Sequence, residues 1–415
     1  MPLSVIVGSV ELFVRQGTGI RTFSRSLVAA LACSRSDSLD LLISTSSQTA
    51  SGLLAGSNIL QKHSKQARLS KVLSFFRIKK NQFLKIPFFS GAHRLRRASP
   101  DHPLHAALLG VCFEQAVKDY KCDSGTESLV SSADTKGFLC GRNIFVDAPV
   151  SFRATRNLTQ LRLPVSMKSN KEVPVIYHSP LPYPIILRGC INVSTIHDLI
   201  PLSHPELCLD DPSYFYDLVD SLLDQSDGIH CISQYAVDQL KRFYGAKGEG
   251  KVFVAHQPIP LAHLTTGYQE KALSRLASRS IGGLSDERYI LQVGSIDWLR
   301  SASYGTMIKY LQGASAVLFP SIVEGWGLPP LEAMSYGAPV VASPIPPCRE
   351  ACGTAAVYMD DPLDSVSLAE NLQKVIGDVD FAGHHIRMGF NQAKKYDSGR
   401  FAADLIKGYR ALPSC

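Results

Sequence analysis

The stretch AVLFPSIVEGWGLPPLEAMSYGAPVVAS, residues 316–343, decides the fold class of this 415-residue chain. An apolar run ends at Pro320, a glycine-bearing loop follows, and a helix is predicted to start near Pro329 or Pro330. The run APVVAS then predicts a second buried strand. Strands that alternate with helices in this way indicate a parallel sheet with crossover connections, which is an α/β fold.

Two acidic residues of this stretch, Glu324 and Glu332, have seven residues between them. We expect Glu324 in the loop and Glu332 in the first helical turn, so that both face the crevice at the carboxyl end of the sheet, where open α/β folds bind ligands. Gly327 permits a close backbone approach. The amides from Leu328 onward belong to a helix start whose dipole attracts phosphate. The stretch therefore predicts a site for a phosphate-bearing ligand between two carboxylates.

The rest of the chain repeats the alternation of short apolar runs with helical segments. It begins with SVIVGSVELF, a predicted buried strand, and a glycine turn then leads into a helix with apolar residues at a period of about 3.6. We predict a first Rossmann-like domain over residues 1–265, a second over residues 281–394, and a closing helical segment over residues 395–415.

The pattern FPSxxEGxGLPxLEAMxxGxPVVAS, which starts at Phe319, closely resembles the signature of the group 1, family 4 retaining glycosyltransferases. The likeness is strongest to the mannosyltransferases that build bacterial cell-surface polysaccharides. Four other stretches are similar to the same family: GTGIRTFSRSL, STIHDLIPLSHPE, SDGIHCISQYAVDQL and the tail KKYDSGRFAADLIKGYRAL. The resemblance implies the GT-B fold, in which two Rossmann-like domains face each other across a cleft.

The resemblance also implies roles for residues on the donor side of the cleft. Glu324 would hold hydroxyls of the donor sugar, and Glu332 would accept hydrogen bonds from the ribose. The amides around Gly327 and Leu328 would support the diphosphate, and Arg300 would face it as a cation. The implied donor is a nucleoside-diphosphate sugar, with GDP-mannose as the first candidate, and neither a cofactor nor a metal takes part in this scheme.

On the acceptor side, the resemblance assigns Gly17 and Gly19 to a loop that approaches the donor phosphate. It places His197 in the cleft near the anomeric carbon, so that His197 and Glu324 are the expected catalytic residues. The implied acceptor is a glycan or a lipid-linked precursor of a cell-surface polysaccharide such as lipopolysaccharide.

One departure from the family pattern concerns the length of the second domain. After the strand that ends near residue 295, relatives continue with acidic, proline, arginine, lysine and asparagine residues, whereas this chain has DWLRS at 297–301. Arg300 and Glu324 are 24 positions apart, but the family has two further βα units there, and each βαβ motif takes about 30 residues. We therefore predict a truncated second domain. The alternative function is that of a catalytically impaired homologue that binds sugar or serves in assembly.

The net charge of +7 is unevenly distributed, because residues 41–100 contain eleven Lys or Arg and no Asp or Glu. Within an elaboration of the first domain at residues 61–97, apolar side chains recur near helical spacing among the basic ones. This pattern predicts that residues 62–97 form an amphipathic surface for an anionic membrane, with a basic surface loop as the alternative. Nucleic acid is not an expected partner, because no nucleic-acid-binding motif accompanies the charge.

Other function classes lack their sequence signatures. The first glycine turn resembles a dinucleotide-binding loop, but Thr22 replaces its third glycine. The sequence contains no Walker loop, H-E-x-x-H or G-x-S-x-G motif. His178, His204 and His256 lack metal-like spacing and are expected to be structural. The ten cysteines have no paired short spacing, which predicts reduced thiols.

The sequence also favours a location in the cytoplasm. No apolar stretch reaches the roughly 20 residues that a membrane-spanning helix needs. The first residues do not show the cationic start, apolar core and small-residue cleavage site of a secretory signal. We expect a cytoplasmic protein that associates peripherally with the inner face of the plasma membrane.

Overall fold

A computed structural model describes residues 4–8, 19–33, 38–44, 93–94, 96–97, 136–140, 144–163, 174–259, 266–280, 289–292 and 304–412 of the chain. The described residues form two larger sheets built from parallel strands, a small third sheet, and the helices that cover them.

The strands are short and are mostly connected by helices. In chain order the described strands are β1 Ser4–Gly8, β2 Ser38–Ser44, β3 His93–Arg94, β4 Arg96–Arg97, β5 Lys136–Cys140, β6 Thr159–Arg162, β7 Val175–Ser179, β8 Ile185–Arg188, β9 Ile191–Ile196, β10 Gly228–Cys231, β11 Val252–Val254, β12 Ile290–Gln292, β13 Ala316–Phe319, β14 Val340–Ala342 and β15 Val357–Tyr358.

The described α-helices are α1 Gly19–Cys33, α2 Ile144–Thr155, α3 Ile200–Ser203, α4 Pro212–Gln225, α5 Gln234–Tyr244, α6 Thr266–Ser280, α7 Tyr304–Gly313, α8 Leu328–Ser335, α9 Pro346–Cys352, α10 Ser365–Gly377, α11 Val379–Ala393 and α12 Ser398–Ala411. Short 3-10 turns span Pro205–Leu207 and Lys394–Tyr396.

The first sheet has the strand order β11-β10-β9-β7-β1-β2-β5-β4. Its strand pairs are parallel except for β4 with β5 at one edge. The sequence run at the start of the chain forms β1 in the middle of this sheet, where Val5, Ile6 and Val7 are fully buried. Strands β3, β6 and β8 form the small sheet. The predicted α/β fold with parallel sheets is confirmed.

The second sheet contains four parallel strands among the described residues, in the sequential order β12-β13-β14-β15. A single helix, α7, lies between β12 and β13 in the described part of the chain. Residues 293–303 lie outside the described residues, and the truncation of the second domain remains a prediction. Among the described strands, β12 lies at one edge of this sheet, and the Ile290 side chain on it is 43% exposed.

Local sequence features explain where the helices begin and which face they bury. The apolar residues that recur at helical spacing in α1 include Phe23, Leu27 and Leu31, and all three are buried. At the start of α4 the Asp211 carboxylate accepts hydrogen bonds from the first-turn amides, and at the start of α12 Asp397 accepts one in the same way. Such caps satisfy amides that have no partner inside the helix.

The last helix, α12, packs against the first sheet although it follows the second one in sequence. The Phe401 ring lies 6.0 Å from the Phe23 ring of α1, and Leu412 lies against Gly228 at the start of β10. One continuous cluster of buried side chains includes Val193 of the first sheet and Phe319 of the second. The two halves are therefore joined by a shared apolar core as well as by the chain.

Candidate active site

The carboxyl ends of the two sheets face each other across the candidate site. On the first half, β9 ends at Ile196 and is followed by His197 and Asp198. On the second half, β13 ends at Phe319 and is followed by the loop of residues 320–327, here called the glutamate loop, which leads into α8. The segments that the sequence singled out are thus brought together from positions more than a hundred residues apart.

Gly325 makes a close contact between the glutamate loop and the first half. A β-carbon at position 325 would stand 2.9 Å from the Asp198 Cβ and 3.0 Å from the His197 carbonyl oxygen. The Ser233 hydroxyl, which lies just beyond β10, donates a 2.9 Å hydrogen bond to the Gly325 carbonyl oxygen. The glutamate loop therefore rests directly on the turn that carries His197.

Glu324 is partly buried beside this contact. Ser321 Oγ donates a hydrogen bond of 2.8 Å to its Oε1. Burial raises the pKa of the Glu324 carboxyl; the Ser321 hydrogen bond opposes this effect, and the nearby Asp198 carboxylate adds to it. The other carboxylate oxygen can accept hydrogen bonds from ligand hydroxyls.

Glu332 is more deeply buried, with 8% of its surface exposed. None of the described residues donates a hydrogen bond to its carboxylate, and burial raises its pKa to about 7. The prediction of a first-turn position was wrong, because α8 starts at Leu328 and Glu332 is its fifth residue. A buried carboxylate without a donor is costly unless a ligand supplies one.

The start of α8 has fewer amide donors than the sequence analysis expected. Gly327 is the N-cap residue with φ 139°, and a β-carbon there would stand 3.1 Å from Ala351 Cβ, so glycine is required. Pro329 and Pro330 have no N–H group. The Leu331 amide donates to the Gly327 carbonyl oxygen within the helix. The expectation of a series of amides from Leu328 onward is corrected to the Leu328 amide alone in this turn.

His197 is held in a defined orientation. Its Nε2 lies 2.7 Å from the Pro180 carbonyl oxygen, and since a carbonyl only accepts, Nε2 carries the proton and Nδ1 is the acceptor. The Phe23 ring contacts it edge-on at 4.7 Å. Burial lowers the pKa of His197 to about 4, although the Pro180 hydrogen bond opposes this. The imidazole is therefore neutral at neutral pH.

A buried chain of hydrogen bonds lies behind His197. His230 Nε2 donates to the Ala255 carbonyl oxygen at 2.8 Å, which leaves His230 Nδ1 to accept from the Thr195 hydroxyl at 3.2 Å. Thr195 then accepts from His178 Nε2 at 2.8 Å, and His178 Nδ1 accepts from the Tyr409 hydroxyl. Each group in the series therefore donates toward the Ala255 carbonyl oxygen and accepts from the side of Tyr409. Both imidazoles are neutral, because burial lowers the pKa values of His178 and His230. His178 is therefore buried among structural hydrogen bonds, as expected. Through Tyr409, this series of hydrogen bonds connects α12 to the first sheet.

The remaining site residues of the sequence analysis lie partly outside the described residues. Gly19 is the first residue of α1. Gly17 and Arg300 lie outside the described residues, as does the basic segment 62–97 except for the short strands β3 and β4. Their assigned roles remain predictions.

Three side chains of the site were not singled out by the sequence analysis. Asp198 could have been noticed because it follows His197 at the end of a strand, and Ser233 because serine is a common N-cap residue. Glu350 gave no local signal, although its carboxylate reaches the first half and contacts His256, which the sequence analysis had read as structural.

Neither a metal site nor a membrane span stands out in the described part of the chain. No group of three or more His, Cys, Asp or Glu side chains there is arranged to hold a metal ion. Among the helices of the described ranges, none combines the length and the apolar character needed to cross a bilayer.

These features define the class of protein: the chain has the GT-B fold, with a candidate ligand site between its two halves. The fold is similar to that of sucrose-phosphate synthase from Thermosynechococcus elongatus, with a TM-score of 0.54 at 13% identity, covering 98% of each chain.

Residues 287–389 match the family described as "Glycosyl transferases group 1". The O-antigen chain mannosyltransferase B of Escherichia coli is 31% identical over 118 residues, which are 28% of this chain and 31% of that protein. The O-antigen chain mannosyltransferase RfbU of Salmonella typhimurium is 22% identical in an alignment of 240 residues that covers 50% of this chain and 66% of that protein. The matched part of this chain thus spans less than two thirds of either relative. The resemblance to the group 1, family 4 glycosyltransferases is confirmed.

Proposed function

We propose that this chain is a retaining glycosyltransferase that moves a hexose from a nucleoside-diphosphate sugar to a hydroxyl group of a glycan or lipid-linked acceptor. The observation that carries the proposal is the contact of the glutamate loop with the His197 turn. It places Glu324 of one half beside Asp198 and His197 of the other. A donor and an acceptor held by different halves would meet at this position.

The donor would lie along the glutamate loop and the start of α8. The Glu332 carboxylate has no hydrogen-bond donor among the described residues, and the hydroxyls of a ribose would supply one. The Leu328 amide and the dipole of α8 would support the diphosphate, as helix starts commonly do for anions. Arg300 and the loop of Gly17 and Gly19 remain the predicted additional contacts to phosphate.

The reaction exchanges one bond at the anomeric carbon for another. The bond to the diphosphate oxygen breaks, the acceptor oxygen bonds on the same face, and its proton passes to the departing diphosphate. Glu324 would fix the sugar through its hydroxyls, and neutral His197 would accept a hydrogen bond at Nδ1 beside the anomeric carbon. Positioning and stabilisation of the leaving diphosphate would supply most of the rate enhancement, and no metal is part of this scheme.

The names of the two O-antigen mannosyltransferases favour mannose as the sugar. GDP-mannose is therefore the first donor candidate, and the acceptor would be a precursor of a cell-surface polysaccharide. The basic segment 62–97 would hold the protein at the inner face of the plasma membrane, where lipid-linked precursors are presented.

A donor screen tests this proposal. Radiolabelled nucleotide sugars are incubated with the protein and a bacterial membrane lipid extract, and the label in the lipid fraction is measured. We expect transfer from GDP-mannose, and we expect Glu324→Ala and His197→Ala each to reduce it at least about tenfold without loss of fold. Binding of nucleotide without transfer from any donor would instead favour the impaired homologue.

A further inference from the structure

Glu350 connects the two halves at a point outside the donor site. Its Oε1 accepts hydrogen bonds from the Gln234 amide at 2.6 Å and from His256 Nε2 at 2.8 Å, and its Oε2 accepts one from the Tyr235 amide at 3.0 Å. Glu350 belongs to α9 of the second half, whereas all three donors belong to the first half or its exit segment. We propose that Glu350 is a positioning residue that fixes the glutamate loop against His197; the inference rests on the proposed function.

The carboxylate completes the cap of a helix in the other half. α5 begins at Gln234, and its N-cap residue Ser233 accepts a hydrogen bond from the Ala236 amide at 3.1 Å. The amides of the first two helical residues, Gln234 and Tyr235, donate to the Glu350 carboxylate. A carboxylate at this place is stabilised by the helix dipole as well as by hydrogen bonds.

The charge of Glu350 is favoured by these contacts. Burial alone would raise the pKa of its carboxyl, but the hydrogen bonds from His256, Gln234 and Tyr235 outweigh that effect and hold the pKa below its ordinary value. The carboxylate is therefore ionised at neutral pH, and a neutral amide at this position would lose both the charge and one acceptor.

Glu350 also contacts both chain segments that pass between the halves, one through His256 and the other through Tyr396. His256 follows β11, and its ring lies 4.8 Å from the ring of Trp326. Trp326 is the residue that follows Gly325 in the glutamate loop. Tyr396 precedes α12, its ring lies 5.1 Å from Trp326, and its hydroxyl donates to the Glu350 carbonyl oxygen at 3.1 Å. Trp326 is 3% exposed, so its indole ring is shielded from water.

The start of α5 thus holds the second half at two points. Ser233 binds the backbone of Gly325, and Glu350 binds the next two residues of the helix. Together they set the distance between Glu324 and His197. Glu332 and the Leu328 amide, which are proposed to bind the nucleotide, lie within the second half, and the first half contributes the predicted phosphate contact of Gly17 and Gly19. Loss of the Glu350 contacts should therefore reduce turnover much more than nucleotide affinity.

The test compares Glu350→Gln with Glu370→Gln, which makes the same charge change at an exposed position of α10. Both are made in a Trp298→Phe background, so that Trp326 is the only tryptophan. Transfer, calorimetric binding of GDP and UDP, and tryptophan emission are measured, with far-ultraviolet circular dichroism as the check on folding.

For Glu350→Gln we expect at least a tenfold loss of turnover, on the order of the change a 1.4 kcal/mol effect produces. We also expect a nucleotide dissociation constant within about threefold of the parent, and a red-shifted Trp326 emission. Glu370→Gln should match the parent in every respect. Unchanged emission and turnover in Glu350→Gln, or an equal loss of binding and turnover, would overturn the proposal. If the parent transfers no sugar, the proposed function fails. The Trp326 emission of Glu350→Gln still shows in that case whether Glu350 holds the two halves together.

Discussion

Gly325 lies so close to Asp198 that a β-carbon at position 325 would stand 2.9 Å from the β-carbon of the aspartate. The two residues follow β13 and β9 and belong to opposite halves of the chain. Glycine here is required by close approach, because any side chain would separate the glutamate loop from the His197 turn. This contact brings the glutamate loop against the turn that carries His197, and so relates the predicted donor residue Glu324 to the predicted acceptor-side residue His197.

Gly325→Ala should therefore open the cleft. Overpacking at such a contact costs roughly 1–3 kcal/mol, and we expect the halves to separate slightly rather than the protein to unfold. Sugar transfer should fall at least about tenfold, because the reacting groups are no longer aligned. Gly377→Ala is the matched control, since no atom lies within 4 Å of a β-carbon there. Parent-level transfer in Gly325→Ala would show that the contact is not needed.

Glu332→Gln should stabilise the protein in alkaline solution. Burial raises the carboxyl pKa from 4.5 to about 7. The folded state therefore holds a proton that the unfolded state releases between these values, and stability falls as the pH rises through this window. Above pH 7 the ionised carboxylate costs roughly 3 kcal/mol, a penalty that glutamine removes.

Urea unfolding at pH 4.5 and pH 8 measures this effect. The variant should gain stability over the parent at the higher pH and much less at the lower pH, and it should bind nucleotide more weakly. Glu370→Gln, on the exposed face of α10, should show no such pH-dependent gain. Equal stability of Glu332→Gln and the parent at pH 8 would mean that the carboxylate has a donor.

Thr195→Val should destabilise the protein through the buried chain of hydrogen bonds. The hydroxyl joins His178 to His230, and its removal leaves one donor and one acceptor without a partner, at about 1–3 kcal/mol each. Thr159→Val is the control, because the Thr159 hydroxyl is buried without a partner and its loss should be neutral or stabilising. Chemical denaturation measures the free energy of unfolding of both variants. An equal change in Thr195→Val and Thr159→Val would contradict the hydrogen bonds described for Thr195.

The basic segment 62–97 should bind anionic vesicles. We expect co-sedimentation with phosphatidylserine-containing liposomes that weakens at high salt, because the Debye length falls from about 10 Å at 0.1 M to about 3 Å at 1 M. Replacing Lys79 and Lys80 by Glu should abolish the binding, whereas the same change at Lys241 and Lys407, exposed positions of α5 and α12, should not. Equal binding to neutral liposomes would contradict an electrostatic attachment.

The local parts of the site could be predicted from the sequence. Apolar runs around Phe319 and Val341 formed strands as expected, and the glycines and prolines before Leu331 placed a loop and a helix start. Each of these signals comes from neighbouring residues, whose periodicity and backbone preferences act over short distances. The family resemblance supplied the arrangement of the halves that no local pattern contains.

The contacts between the halves could not be predicted in this way. Glu350 and Gln234 are 116 residues apart, and nothing in the sequence around either one indicates the other. The position of Glu332 was misjudged by one turn, because the helix extends back to Leu328 through two prolines that fit its first turn. The same prolines remove amides that a phosphate would otherwise meet, a consequence visible only once the helix start is located.

Every role proposed for the donor side requires that the cleft beside Glu332 and the start of α8 binds a nucleoside diphosphate. Isothermal titration of the protein with GDP and with UDP tests it most directly. We expect saturable one-to-one binding of one of the two nucleotides, weakened by Glu332→Gln. Absence of heat from both nucleotides, or binding that Glu332→Gln leaves unchanged, would contradict it.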